Sequence, residues 1–180
     1  FNELDYGEEG EICISGPSIM LGYLNNKAET DNVIRRHPDG TLWVHSGDIG
    51  HMDPDGFVYI KGRIKRMITL FNGHKIFPTH IESVLGHHPM VASCAVVGVN
   101  DTTHAQGQLT LAVIEAKEHA LEKLTAIKNE LYEMCRQELE GPAKPYDIIF
   151  VESMPHTGMG KIDYIKLAED YNNENKTEAV

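Results

Sequence analysis

The chain lacks several things that would place it quickly. No apolar run approaches the roughly 20 residues that crossing a membrane requires. The first residues, FNELDYGEEGEICISG, carry neither the basic start nor the apolar stretch of a signal peptide. Positive charge is scarce: 16 Lys and Arg stand against 27 Asp and Glu, for a net charge of −11. The lysines lie scattered among acids, which argues against nucleic acid as a partner, because phosphate contacts need clustered Lys and Arg. There are three cysteines, Cys13, Cys94 and Cys135, with wide spacing and no Cys-x-x-Cys. That excludes a disulfide scaffold, and Cys13 and Cys94, inside apolar runs, read as buried free thiols of a reducing, cytoplasmic compartment. The ten histidines include no H-x-x-x-H and no Cys/His pairing, so no metal site built from protein ligands is expected. No glycine-rich phosphate loop of the Walker type occurs, and no internal repeat. The chain opens on Phe1 with no methionine and runs straight into a strand pattern, as a piece of a longer protein does.

What is present is ordered. GEICISG (10–16) alternates Ile12 and Ile14 with smaller or polar residues, the pattern of a half-buried strand. SIMLGYLNNKAET ends in polar residues able to start a short helix. Residues 39–63 hold three short apolar runs separated by Asp-Gly and Pro-Asp-Gly turn signals, which predicts consecutive antiparallel strands. After Arg63 the pattern changes. Residues 78–88 place Ile81, Val84 and Leu85 at helical spacing behind Pro78. Residues 91–99, 109–116 and 146–152 read as strands, 118–140 as a helix with Leu121, Leu124, Ile127, Leu131, Met134 and Cys135 on its apolar face, and 162–171 as a last short helix. The polar tail NNENKTEAV is expected to fray. The order α-β-β-α-β-α after a β-rich start predicts an α+β fold, helices on a small sheet. The junction, GRIKR (62–66), reads as a solvated linker.

Several stretches together carry a resemblance. GEICISGPSIMLGYLNNKAET, LWVHSGDIGHMDPDGFVYIKGRIKRMI, GHKIFPTHIESVLGHHPMVASCAVVGVND and PHTGMGKIDYIKL occur in this order. They resemble the C-terminal motifs of the adenylate-forming superfamily, most closely its acyl-CoA synthetases. Each block is weak alone, and the series is specific. The resemblance implies a two-step reaction. A carboxylate attacks the α-phosphate of ATP to give acyl-adenylate and pyrophosphate, and the thiol of CoA then displaces AMP to give a thioester. Two alternatives stay open: an adenylation domain serving a carrier protein, or a non-catalytic α+β binding module.

Residue by residue, the resemblance implies that residues 1–62 end the large adenylating domain as a β-rich subdomain, that 63–66 are a hinge, and that 67–180 form a mobile C-terminal domain. Lys161 corresponds to the catalytic lysine, with Gly158 and Gly160 letting its loop enter the nucleotide site closely. Asp48 would accept hydrogen bonds from the ribose hydroxyls, as a carboxylate with several lone-pair sites can. Arg63, with donors only, would reach the same region. Lys65 falls at the hinge position. Gly73 corresponds to the glycine of a loop facing CoA, where the missing side chain leaves room for the pantetheine arm, although this chain has one more residue between Lys65 and Gly73 than the family pattern. Ser46 stands where relatives usually have Thr. His74 and Lys75 read as surface residues, with CoA phosphates as the other option. The resemblance implies ATP with Mg²⁺ as cofactor, the metal's ligands lying outside this chain, and CoA as co-substrate. Partners would be the carboxylic acid, ATP or AMP, CoA and a preceding large domain. With no acyl pocket and no pyrophosphate-gripping loop, the chain alone is expected to be inactive.

Overall fold

A computed structural model describes residues 2–101, 103, 104 and 106–177. The chain divides into two compact units, Phe1–Lys65 and Arg66–Val180.

The first unit contains β1 (Gly10–Ile14), α1 (Lys27–Val33), β2 (Ile34–Arg36), β3 (Leu42–Met52) and β4 (Val58–Arg63). Asn26 caps α1 by accepting the Glu29 N–H (3.1 Å). The centre is β3, antiparallel to all three other strands: β1 runs along one edge, and β2 and β4 share the other. Here the structure differs from the sequence expectation, since the first two apolar runs of 39–63 join into one 11-residue strand. The reason is a bulge. Between the pairs Glu11↔Ile49 and Cys13↔His45, β1 advances two residues while β3 advances four. Ser46, Gly47 and Asp48 thus stand opposite Ile12 alone, so the glycine distorts the strand without ending it. Among the described residues of this unit no apolar side chain is fully buried, and Leu21, Leu24, Phe57 and Ile60 are largely exposed.

The second unit contains β5 (Ile68–Thr69), β6 (Lys75–Ile76), α2 (Pro78–Gly86), β7 (Val91–Asn100), β8 (Gln108–Ala116), α3 (Leu124–Glu138), β9 (Asp147–Val151) and α4 (Tyr164–Thr177). The main sheet has the order β7-β8-β9, antiparallel then parallel. Its strands read as nearly unbroken apolar runs because both faces are covered. Val96, Ala112, Ile114 and Ile148 face one cluster with Ile81, Leu85, Ile127 and Leu131 from α2 and α3. The alternate residues Ala95, Val97, Val99, Leu111 and Val113 face a second cluster with Met154 and Leu167. The fold is α+β, with helices on both faces of the sheet.

Two helices differ from expectation. The segment expected as one helix over 118–140 is a 3₁₀ stretch, Glu118–Lys123, followed by α3. The change of pitch buries Ala120 and leaves Leu121 exposed. The last helix runs on to Thr177, through most of the tail expected to fray, whose final residues 178–180 lie outside the described ones. Part of the reason is tertiary: Asn172 Oδ1 accepts the Asn100 N–H (2.7 Å).

One local device recurs four times. In residues 37–41, 53–57, 70–74 and 157–161 the first N–H donates to the fifth carbonyl at 2.7–3.0 Å. The fourth residue is always glycine, whose N–H donates to the first carbonyl at 2.9–3.0 Å. Gly40, Gly56, Gly73 and Gly160 have φ between +75° and +88°. This is the three-residue hairpin with a left-handed fourth position, which glycine adopts at no steric cost. The Asp-Gly and Pro-Asp-Gly signals announced the first two.

Leu131, fully buried between α3 and the sheet, measures how far the second unit relies on its core. Leu131→Ala should lower its unfolding free energy by about 2–5 kcal/mol. Ile165→Ala, at an exposed site, should stay within about 0.5 kcal/mol of wild type. Urea unfolding followed by circular dichroism checks both.

Candidate functional site

The bulge in β3 positions the first group of expected site residues. Asp48 pairs with Arg63 across β3 and β4, and Arg63 Nε donates to Asp48 Oδ1 at 2.7 Å. A second guanidinium nitrogen donates to the Ser46 carbonyl (3.3 Å). The Ser46 hydroxyl in turn accepts the Asp48 N–H (3.0 Å), and Gly47, at φ +73°, turns the backbone between them. Hydrogen bonding to the Asp48 carboxylate, and its charge, raise the Arg63 pKa above its ordinary value, so the guanidinium stays charged. Its side chain is 61% exposed and that of Asp48 24%. Ser46-Gly47-Asp48, between the first two apolar runs of 39–63, therefore lies within a strand and not after one.

Behind the bulge is a group that sequence reasoning missed. His45 Nδ1 lies 2.7 Å from Glu11 Oε2 and 3.5 Å from Cys13 Sγ, while its Nε2 lies 3.1 Å from His37 Nε2. The other oxygen of Glu11 accepts the Gly47 N–H (3.1 Å). Glu11, Cys13 and His45 could hold a metal ion, their donor atoms all falling within 4.8 Å of one another. They already engage one another, however, and desolvation, then the Glu11 charge, pushes the Cys13 thiol above its usual pKa. A thiol and an imidazole are also poor ligands for Mg²⁺, which takes carboxylate, phosphate and water oxygens. The group is a support for Gly47, to which Glu11 ties it. Residues 11 and 13 point to one face of β1 and His45 is the Cys13 partner; strand alternation is the signal that could have found them.

In the second unit, Gly73 occupies the left-handed position of the 70–74 hairpin between β5 and β6. A Cβ built on it meets nothing within 4 Å, so the backbone angle, and not lack of space, calls for glycine. Lys161 is the fifth residue of the 157–161 hairpin, its carbonyl held by the Thr157 N–H (2.7 Å) and its side chain exposed. An antiparallel bridge, His156↔Ile162, closes the loop. Its base is anchored: Met154 is buried, its N–H donates to Glu115 Oε2 (2.8 Å), and Ile162 packs against the second cluster. Of the two glycines expected to serve this loop, only Gly160 has a positive φ. Lys65 is exposed and ends the first unit. The structure thus brings Asp48 and Arg63 together in one unit and puts Gly73 and Lys161 at hairpins of the other.

Residues 80–161 match the AMP-binding enzyme C-terminal domain. The chain is 37% identical over 161 residues to the medium/long-chain-fatty-acid–CoA ligase FadD8 of Mycobacterium tuberculosis, covering 87% of this chain and 27% of that one. Among solved structures it resembles the ATP-bound RpMatB-BxBclM chimera, with a TM-score of 0.76 and 30% identity over 94% of this chain and 32% of the other. It also resembles o-succinylbenzoate CoA synthetase of Bacillus subtilis bound to its acyl-adenylate intermediate, with a TM-score of 0.75, 27% identity, and coverage of 91% and 31%. The chain therefore spans between a quarter and a third of the length of these relatives.

The two glycines of the lysine loop should answer differently to substitution. Gly160→Ala forces a side chain into the left-handed region and should cost about 1–2 kcal/mol of unfolding free energy. Gly158→Ala, with an ordinary φ and open space around it, should be neutral or slightly stabilising. Denaturant midpoints of the two variants make the comparison.

Proposed function

This chain belongs to the adenylate-forming enzymes, in the part that carries their AMP-binding C-terminal domain, and from that premise we propose that it serves an acid–CoA ligase. The full-length protein activates a carboxylic acid with ATP and transfers the acyl group to CoA. In the first step the carboxylate oxygen attacks the α-phosphorus and pyrophosphate leaves. In the second the CoA sulfur attacks the acyl carbon and AMP leaves. The relatives named as CoA ligase and CoA synthetase support this acceptor.

The observation that carries the proposal is the placing of Lys161. Its backbone is fixed by a closed hairpin on a buried base, while its ammonium stands free of the unit's own cores. A cation carried on a fixed backbone stabilises charge that builds between the acyl carboxylate and the α-phosphate in the transition state. Asp48 accepts from the ribose hydroxyls and Arg63 donates beside it. Lys65 is the pivot about which residues 67–180 turn, bringing Lys161 to the first step and the Gly73 hairpin to the second, with residues 1–62 staying with the preceding large domain. The metal that accompanies ATP neutralises phosphate charge; the Glu11, Cys13 and His45 set does not suit it, and this chain is assigned none of its ligands. Without the large domain the chain is inactive.

In the full-length protein, Lys161→Ala should reduce ATP–pyrophosphate exchange by about a hundredfold or more. Thioester formation from supplied acyl-adenylate and CoA should persist. Exchange at the wild-type rate would show that Lys161 is not catalytic.

A further inference from the structure

Arg66 is the first residue of the second unit, and it is not a solvated linker residue. Its guanidinium forms a two-pronged ion pair with Glu82 on α2, one arm at 3.2 Å to Oε2 and the other to Oε1. The same guanidinium lies over the ring of Tyr164, with Cζ 3.6 Å from the ring centroid. The Arg66 and Glu82 side chains are only 21% and 14% exposed. Both also bind the outer edge of β7: Glu82 Oε1 accepts the Val96 N–H (2.8 Å), and Arg66 donates to the Val96 carbonyl (3.4 Å). The pair thus satisfies backbone groups that an edge strand would otherwise leave open.

What makes this arrangement more than a surface ion pair is what it joins. Lys65, the proposed pivot, is the residue before Arg66. Tyr164 is the first residue of α4, three positions after Lys161. Between them Asp163 starts the helix, its carboxylate accepting the Lys166 N–H (3.0 Å) and its own N–H donating to the Pro155 carbonyl (2.8 Å). One guanidinium therefore bridges the end of the pivot and the foot of the lysine hairpin, with Glu82 fixing it to the sheet. A planar fork is suited to both contacts at once, carboxylate in its plane and aromatic ring on its face.

We propose that Arg66, Glu82 and Tyr164 form a positioning clamp that fixes the foot of the Lys161 hairpin to the end of the pivot, so that turning at Lys65 delivers Lys161 to one defined place. The inference rests on the catalytic reading of Lys161 given above. The clamp acts through Lys161, and it serves the adenylation step alone.

The test uses the full-length protein and reads both half-reactions. Arg66→Gln removes the charge, and Tyr164→Leu removes the ring while leaving the ion pair, so the second variant serves if the first does not fold. Each should slow ATP–pyrophosphate exchange by about tenfold to a hundredfold, the scale of a misplaced catalytic group. Thioester formation from supplied acyl-adenylate should be unchanged, and Tyr164→Phe, which keeps the ring, should behave as wild type. In a Lys161→Ala background Arg66→Gln should cause no further loss, since it acts through the absent lysine. An equal fall in both half-reactions, or a further loss in the double variant, overturns the clamp. Full exchange in Arg66→Gln beside an inactive Lys161→Ala overturns the clamp alone, whereas full exchange in Lys161→Ala overturns the reading beneath it.

Discussion

A left-handed glycine at the fourth position of a five-residue loop is the constraint on which the presentation of side chains in this protein depends. It allows a chain reversal in which the first residue holds the carbonyl of the fifth and the glycine holds the carbonyl of the first. The fifth residue then has a fixed backbone. In the last of the four loops that residue is Lys161, and in the third it is His74. A lysine held this way keeps only its side-chain rotamers to be ordered when it binds, because the backbone entropy was already lost on folding. That is the economical way to place a long, flexible cation on a short hairpin.

The two units solve the burial problem differently. The second carries two clusters of buried apolar side chains, one on each face of β7-β8-β9, and holds together by its own packing. The first unit has a well-paired sheet, but among its described residues no apolar side chain is fully buried. Its order comes from strand pairing, the 37–41 and 53–57 loops and the Glu11 ties to His45 and Gly47. Its exposed Leu21, Leu24, Phe57 and Ile60 suit a subdomain of a larger body, which is the role proposed for residues 1–62.

What was legible in the sequence followed from local rules. Strands 91–99 and 109–116 stood out because burial on both faces leaves few polar interruptions, and α2 because Pro78 starts it and its apolar residues keep helical spacing. The Asp-Gly and Pro-Asp-Gly turns were legible because their geometry is set within five residues. What was not legible depends on partners far along the chain. Ser46-Gly47-Asp48 resembles the end of a strand until Glu11, 36 positions from Gly47, is seen to hold the bulge in register. GRIKR reads as a solvated junction because Glu82 and Tyr164, which hold Arg66, lie 16 and 98 residues away (82 − 66 and 164 − 66). Leu121 was placed on an apolar face by a period of 3.6, which a 3₁₀ turn does not keep. Lys161, Asp48, Arg63, Lys65 and Gly73 came from resemblance; no local rule singles them out.

The pairing of Asp48 with Arg63 can look like an obstacle to the ribose role proposed for Asp48, since its expected ligand would compete with an existing partner. The geometry argues otherwise. A carboxylate offers about four lone-pair sites over its two oxygens, and Arg63 Nε uses one of them, on Oδ1. Ribose hydroxyls can be accepted at the remaining sites without separating the ions, so binding need not leave an unpaired charge. The arginine also remains a cation under all ordinary conditions, and its hydrogen bond to Oδ1 keeps the carboxylate turned before any ligand arrives. Within the proposed cycle the two units therefore carry complementary demands. Asp48 and Arg63 have to stay in place through both steps, and they hold each other across adjacent strands. Lys161 has to arrive for one step and leave for the next, and it stands on a unit with its own cores, joined at its first residue to the foot of the lysine loop.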